Sequence, residues 1–233
     1  MADVAGKPLV LRVVERVVSM KSPHEVVLAT TDRPEDAVLL DLSAQLRIPA
    51  FAGSSDDVLD RYFQAAKAQE ADIIVRVTAD CPLFDPAIGD LVVSKVLEEG
   101  VDYASNVHPP TFPDGLDVEV FTTDALTRAW SRAANCSERE HVTSFIWNNP
   151  ELFRIANVSN AKDLSHLRWT VDEEEDLFLV RALYDVLALK KNDFHMIDVL
   201  DILRRQPELA QINAHLARNS GYLRSLASDS GTV

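Results

Sequence analysis

Two short strings put carboxylates where an apolar pattern stops. In Arg76-Val77-Thr78-Ala79-Asp80-Cys81-Pro82-Leu83, Asp80 follows the run DIIVRVT, and Pro82 keeps a strand ladder from continuing. A carboxylate there can hold a hard cation beside a bound phosphate, because Mg2+ takes one or two protein carboxylates and completes its shell with water and substrate oxygens. It can equally cap the following turn, and by spacing alone that role is the more ordinary one. In Arg168-Trp169-Thr170-Val171-Asp172-Glu173-Glu174-Glu175-Asp176, Asp172 stands between a β-like run and a helix. It reads as that helix's N-cap, with Glu175 at the capping-box position. The acidic cluster also suits the positive end of the helix dipole. A cap can still be a ligand, since each role needs one carboxylate oxygen.

Two further strings carry polar chemistry. Asp114-Gly115 in a proline-flanked loop before Asp117-Val118-Glu119-Val120 is turn chemistry first, although Asp114 can also present a carboxylate to a sugar hydroxyl. Arg139 and His141, early in a helical stretch, are cations in an acidic chain and can meet a substrate carboxylate or phosphate; a structural role is equally open. Neither Cys81 nor Cys136 has a histidine at a telling spacing, and no G-x-S-x-G, H-E-x-x-H or Walker-type loop occurs.

The elements that must position these residues alternate in period. Pro8 to Met20 reads as an amphipathic helix, with Leu9, Val13, Val14 and Val17 on one side and Arg12, Glu15 and Arg16 on another. Val26 to Thr30 predicts a strand, residues 34–46 a helix, Ile48 to Phe51 a strand, and a helix capped by Ser54 or Ser55 runs to about Gln69. Asp72 to Thr78 is the clearest strand, apolar enough to be covered on both faces. This alternation predicts a mostly parallel sheet with ligands beyond the carboxyl ends of its strands, at Thr30 to Pro34 and Thr78 to Pro86. After Gly100 a loop with three prolines leads to Asp117–Thr122, read as a half-exposed strand. Helices are expected over 123–134, 138–147, 173–189 and 196–217, with a strand at 153–158 and a break at Pro207. Residues 1–222 read as one domain and 223–233 as a polar tail.

The chain has 233 residues, 23 Lys and Arg against 37 Asp and Glu, and a formal charge of −14. That field repels phosphate backbones and argues against nucleic-acid binding. It repels a free triphosphate too, so a nucleotide site needs a cation or a local basic pocket. Two distant cysteines, no long apolar stretch and no signal-peptide pattern predict a cytoplasmic protein without a membrane segment.

The strings LATTDRPED, GSSDDVLDRYFQA, VRVTADCPL, PDGLDVEVF, REHVT, NPELFRIANV and DLSHLRWTVDEEEDLFLV, in order from about Ala5 to Asn213, resemble the cytidylyltransferase family of spore coat polysaccharide biosynthesis protein F. More distantly they resemble the synthetases of CMP-sialic acid and CMP-Kdo. The resemblance implies a nucleotidyltransferase α/β three-layer sandwich of the nucleotide-diphospho-sugar transferase type, with a mixed, mostly parallel sheet. It implies transfer of CMP from CTP to an acidic sugar with release of pyrophosphate, for surface or spore-coat polysaccharide, and Mg2+ as the metal. By resemblance Asp80 and Asp172 are the catalytic metal ligands, although Glu174 stands where the family's D-x-P-E-D pattern has Pro. Thr31, Asp32, Arg61, Arg76 and Thr78 fall on the nucleotide side, and Asp114, Asp117, Arg139 and His141 on the sugar side. A homodimer is implied through residues 103–170, with Trp147 or Phe112 as aromatic anchors. Family members open with a strand and a loop resembling A-R-M-x-S-x-R-L-P-G-K before a segment like AGKPLLERVIERL. Here Met1-Ala2-Asp3-Val4 runs straight into AGKPLVLRVVERV, so the first strand and its basic phosphate loop are expected to be missing and the chain as it stands inactive. The competing expectation is a degenerate, non-catalytic nucleotide-sugar-binding or assembly subunit. A glycosyltransferase on the same fold is less well supported, since no D-x-D pair follows a strand.

Overall fold

The computed structural model describes residues 1–190, 193–218 and 220–229. The chain opens on a tight hairpin of β1 (Asp3–Val4) and β2 (Lys7–Pro8), antiparallel around Ala5 and Gly6. Both turn residues have positive φ, as a two-residue hairpin turn of this hand requires. Pro8 then leads into α1 (Leu9–Val17), where Val13 and Val14 of the expected apolar side are buried, Leu9 and Val17 are half-buried, and Val10 is buried as well. The expected polar face is a correction, because Arg12 and Arg16 are buried as well. Arg12 donates from Nε to the Val4 carbonyl at 3.0 Å, and Arg16 to the carbonyls of Phe84 at 2.8 Å and Phe194 at 2.5 Å. Carbonyl acceptors satisfy the guanidinium while its stem packs, so a patterned polar position turns inward.

Next come β3 (Leu28–Thr31), α2 (Ala37–Leu46) and β4 (Ala50–Gly53), with β3 and β4 parallel in register Leu28 to Ala50. The helix α3 (Val58–Ala68) is capped by Asp57, which accepts from the Asp60 N–H, and not by Ser54 or Ser55. Ser54 is instead spent on the turn, accepting from the N–H groups of Asp56 and Asp57. β5 (Ile73–Arg76), α4 (Pro86–Glu99), β6 (Tyr103–Ser105) and β7 (Glu119–Thr122) follow, and β8 (Ile155–Asn157) comes after α5 (Thr123–Arg132), α6 (Cys136–Glu140) and α7 (Ser144–Asn148). The stretch expected as one helix over 138–147 breaks at Val142, which has a φ of 59°.

The four-stranded sheet runs β5-β7-β6-β8, antiparallel at β5/β7 and β6/β7 and parallel at β6/β8. The sheet is thus mixed, but the mostly parallel expectation fails around β7. The long loop between β6 and β7 returns the chain between β5 and β6, and an alternating pattern reads the same in either direction. Burial reverses the sequence reading as well. Ile73, Ile74, Val75 and Arg76 are only half-buried because β5 is an edge, whereas Glu119, Val120 and Phe121 of central β7 are buried. Ala104 and Val120 join one core with Val92, Trp169, Leu179 and Leu183; Tyr103 and Phe121 join the other with Leu59, Leu126 and Ile146. Alternate residues of the same strands therefore feed two cores, which makes three layers.

The chain closes with α8 (Glu174–Leu187), α9 (Met196–Arg205) and α10 (Ser220–Asp229). The last helix replaces the start of the expected polar tail. It docks on α6, with Asp229 accepting from the Ser137 N–H at 3.3 Å; residues 230–233 lie outside the described residues. Among the described residues no helix is long and apolar enough to cross a membrane.

Candidate active site

Three chain segments are stitched together where the carboxylates gather. The N–H of Val171 donates to the Asp80 carbonyl at 2.9 Å, the Asp114 N–H to the Leu167 carbonyl at 2.9 Å, and the Trp169 N–H to the Asp114 carbonyl at 2.6 Å. Segment 167–171 therefore lies between the Asp80 loop and the Asp114 loop, bringing Asp80, Asp114 and Asp172 into one neighbourhood. Two side effects of sequence make the fit possible. Gly115 has a φ of 96°, and a Cβ there would sit 2.5 Å from the Thr170 nitrogen and the Trp169 carbonyl carbon, so only glycine allows this approach. Buried Asn106 donates to the Leu116 carbonyl at 2.8 Å and accepts from the Val118 N–H at 2.9 Å, acting as a short strand for the loop.

Asp80 accepts from the Thr78 hydroxyl and from the Cys81 thiol, the latter at 3.3 Å. Burial, with Asp80 and Asp117 nearby, pushes the Cys81 thiol well above its ordinary value, so it remains protonated and non-nucleophilic. Asp172 is not the helix cap that spacing favours. The cap position falls one residue later, at Glu173, and Asp176 accepts from the N–H groups of both Asp172 and Glu173 at 3.1 Å. Asp176 is fully buried and holds Arg168 at 2.9 Å, with Asn213 donating to it at 2.8 Å. Burial opposes ionisation of Asp176, but these donors outweigh it and hold its carboxyl below the usual range. Asp172 meets Arg168 at 2.7 Å while its side chain stays 48% exposed, so its carboxylate reaches solvent.

The expected sugar-side residues divide into two groups. Asp114 and Asp117 belong with the acidic neighbourhood. Asp114 is buried and meets Arg168 at 3.3 Å; its carboxyl is raised by burial and by Asp172 and Asp80, against the pull of Arg218 and Arg168. Asp117 pairs with Arg218 at 2.6 Å, and burial with neighbouring Asp114 and Glu119 pushes it up to about 7 despite that partner. Arg218 had no signal in the sequence, because it lies past every recognisable string. Arg139 does not stand free: it forks onto Asp57 at 2.5 to 3.0 Å and donates to the Trp130 carbonyl, tying α6 to the start of α3. His141 is engaged by Ser225 at 2.9 Å and by the edge-on ring of Tyr222, and burial lowers its pKa.

On the expected nucleotide side, the Thr31 hydroxyl donates to Asp36, the Asp32 N–H donates to the Gly53 carbonyl at 2.9 Å, and Asp32 is exposed. Arg61 donates to the Ser54 carbonyl at 2.7 Å. Arg76 is spent on buried Glu119 at 2.5 Å, which also accepts from Tyr103 at 2.6 Å and Thr143 at 2.5 Å. Arg61 and Arg76 nevertheless each bury an Nε–H that has no acceptor among the described residues.

Among the described residues no three acidic, histidine or cysteine side chains converge as a self-sufficient metal cage. Asp80 and Asp172 supply hard oxygen donors from joined segments, and two carboxylates completed by phosphate oxygens and water are a set that fits Mg2+.

A three-layer α/β sandwich with a mixed sheet and acidic loops gathered at one place defines a nucleotide-diphospho-sugar transferase-like fold. The chain belongs to the cytidylyltransferase family, whose defining pattern matches residues 1–217. It is 35% identical over 208 residues to an uncharacterized protein of Methanocaldococcus jannaschii, spanning 88% of this chain and 84% of that protein. It is 29% identical over 205 residues to spore coat polysaccharide biosynthesis protein SpsF of Bacillus subtilis, spanning 87% and 84%. A shorter stretch of 103 residues, 43% of this chain and 40% of the relative, is 32% identical to 3-deoxy-manno-octulosonate cytidylyltransferase of Chlorobaculum parvum. The fold superposes on a cytidylyltransferase structure from Leptospira borgpetersenii with a TM-score of 0.85 and 29% identity, covering 90% of this chain and 88% of that one. Membership supports nucleotidyltransferase activity with CTP and a sugar as substrates.

Proposed function

We propose that the protein serves transfer of CMP from CTP to the anomeric hydroxyl of an acidic sugar, with release of pyrophosphate. The observation that carries this reading is the bond from Val171 to Asp80, which brings the Asp80 loop against the segment leading to Asp172, together with the release of Asp172 from capping. In the reaction the sugar oxygen bonds to the α-phosphorus, the bond to the pyrophosphate oxygen breaks so that pyrophosphate departs with its electron pair, and the hydroxyl proton passes to solvent. Asp80 and Asp172 would hold Mg2+, which when bound neutralises charge on the phosphate oxygens. Asp114 and Asp117 line the sugar side as acceptors for hydroxyls. Arg61, whose Nε–H has no acceptor among the described residues, and the Thr31–Asp32 turn with its exposed Asp32 line the nucleotide side.

A second part of the reading concerns the triphosphate. The cations around the acidic neighbourhood, Arg76, Arg168 and Arg218, are each held by a carboxylate. β3/β4 and the four-stranded sheet are separate ladders, and the apolar edge strand β5 is only half-buried. Both features leave the β5 edge open to pairing with a further strand. On this reading the chain binds CMP but neither holds CTP well nor turns it over. Titration calorimetry with CMP and CTP, on this chain and on one extended upstream, tests it. Tight CTP binding and pyrophosphate release by the present chain would overturn it. An extended chain that binds nucleotide without releasing pyrophosphate would favour a non-catalytic, nucleotide-sugar-binding subunit. Residues 103–170 are proposed to pair two copies; Phe112 is buried in the core and cannot anchor that contact, which leaves half-buried Trp147. Light scattering that reports a monomer at every concentration removes the dimer.

A further inference from the structure

Arg218 stands at the meeting point of the acidic neighbourhood and an aromatic wall. Its guanidinium donates to Asp117 at 2.6 Å and to the Phe112 carbonyl at 3.2 Å, and its Nε is 4.0 Å from Asp114. It is also close enough to His108 to help lower that imidazole's pKa, after burial. The His108 ring packs on Trp147 at 4.4 Å, and Trp147 meets Tyr222 at 5.4 Å. A sugar entering beside Asp114 and Asp117 therefore meets Arg218 and this ring cluster together.

The other arginines of this region are committed to holding the fold. Arg76 is locked to Glu119 inside the sheet, Arg139 forks onto the cap of α3, and Arg168 binds Asp176, Asp172 and Asp114 at once. Moving Arg76 or Arg168 leaves a buried carboxylate naked, which is costly, while Arg139 is held by three hydrogen bonds to the half-buried Asp57. Arg218 differs in its partner. Asp117 faces Arg218, Asp114 and Glu119, and burial pushes it up to about 7. When the guanidinium leaves, Asp117 takes up a proton near neutrality, and no bare buried charge remains. The freed planar fork matches a carboxylate in a two-bond geometry that a lysine cannot reproduce.

We propose that Arg218 is the specificity-determining residue for the sugar, exchanging Asp117 for the sugar's own carboxylate when substrate binds. The inference rests on the CMP-transfer reading and assigns its acid-recognition step to one side chain. Arg139 and His141, the cations that spacing offered for this task, are held by Asp57 and by Ser225.

The test is calorimetric titration of N-acetylneuraminate and 3-deoxy-manno-octulosonate, each beside its carboxamide, into the chain with Mg2+, run with and without CMP. The acids are expected to bind about 10- to 100-fold more tightly than the amides, the range for charge-assisted hydrogen bonds. Arg218→Ala is expected to erase that preference, and Arg218→Lys to keep part of it. Asp117→Asn is expected to raise the ratio of acid to amide affinity, a sign opposite to that of a merely structural pair. Arg218→Lys and Asp117→Asn keep the proposal exposed even where Arg218→Ala fails to fold. Equal affinity for acid and amide, absence of acid binding, or retained preference in Arg218→Ala overturns the assignment. CMP affinity in the same samples reports separately on the nucleotide site: its absence overturns the CMP-transfer reading, while the sugar arms still decide Arg218.

Discussion

Asp172→Asn and Asp176→Asn differ by four positions in one acidic string, yet opposite outcomes are expected from them. Asp176 is fully buried, pairs with Arg168, and accepts from Asn213 and two backbone N–H groups. An amide cannot serve all these donors, and breaking a buried pair costs about 3–5 kcal/mol. For a domain of this size each kcal/mol lowers Tm by about 2–4 °C, so the expected fall is about 6–20 °C. Asp172 keeps a half-exposed pair with Arg168, whose screened contribution is about 0–1 kcal/mol. Its substitution should shift Tm by less than about 4 °C. The Asp176 carboxyl is held below its ordinary value, so its stabilisation is present above that value and lost as pH falls through the lower folded pKa. The gap between wild type and Asp176→Asn should therefore close below pH 3.8. The functional readout is Mn2+ binding in the presence of CMP, followed by water-proton relaxation. Asp172→Asn should weaken it by at least about tenfold, the smaller loss seen when even an outer-shell partner is removed. If Asp172→Asn melts as low as Asp176→Asn while Mn2+ binding stays intact, Asp172 is a structural acid and the metal assignment is wrong.

Three further outcomes are expected. In a chain extended upstream, Asp80→Asn should lower the rate of pyrophosphate release by about 100-fold or more with Tm nearly unchanged; a comparable collapse of Tm would restore the capping role. Asp117 has its folded pKa raised to about 7, so the folded state holds the extra proton between the ordinary value of 3.8 and 7, and its contribution to stability declines as pH rises through that window. Melting curves should therefore show Asp117→Asn gaining on wild type between pH 5 and pH 8, and a constant difference would contradict the raised pKa of that carboxyl. Gly115→Ala combines a positive φ, worth about 1–3 kcal/mol of strain, with contacts against backbone atoms that cannot yield. Loss of soluble protein or a clear fall in Tm is expected, whereas a wild-type melting curve would mean that the Asp114 loop does not lie against residues 169–170.

Much was determined by the sequence alone. The helices and strands, the two acidic strings and the family resemblance all follow from patterns a few residues long, because periodicity, caps and proline stops act within one turn or one strand. Even there, the cap of α8 lies one residue beyond the expected Asp172, since Asp176 reaches back to two N–H groups and only packing selects which residue closes the turn. The tertiary structure decided what depends on distant partners. β5 and β7 exchange their expected burial because neighbour order in a sheet is set by the path of the chain between strands. Arg139 is taken by Asp57 and Arg76 by Glu119, 82 and 43 positions away, and local spacing carries no information about either partner. Arg218 meets Asp117 across 101 positions, and it becomes a candidate for the sugar only once the fold has left it beside a half-buried acid whose carboxyl is pushed up to about 7.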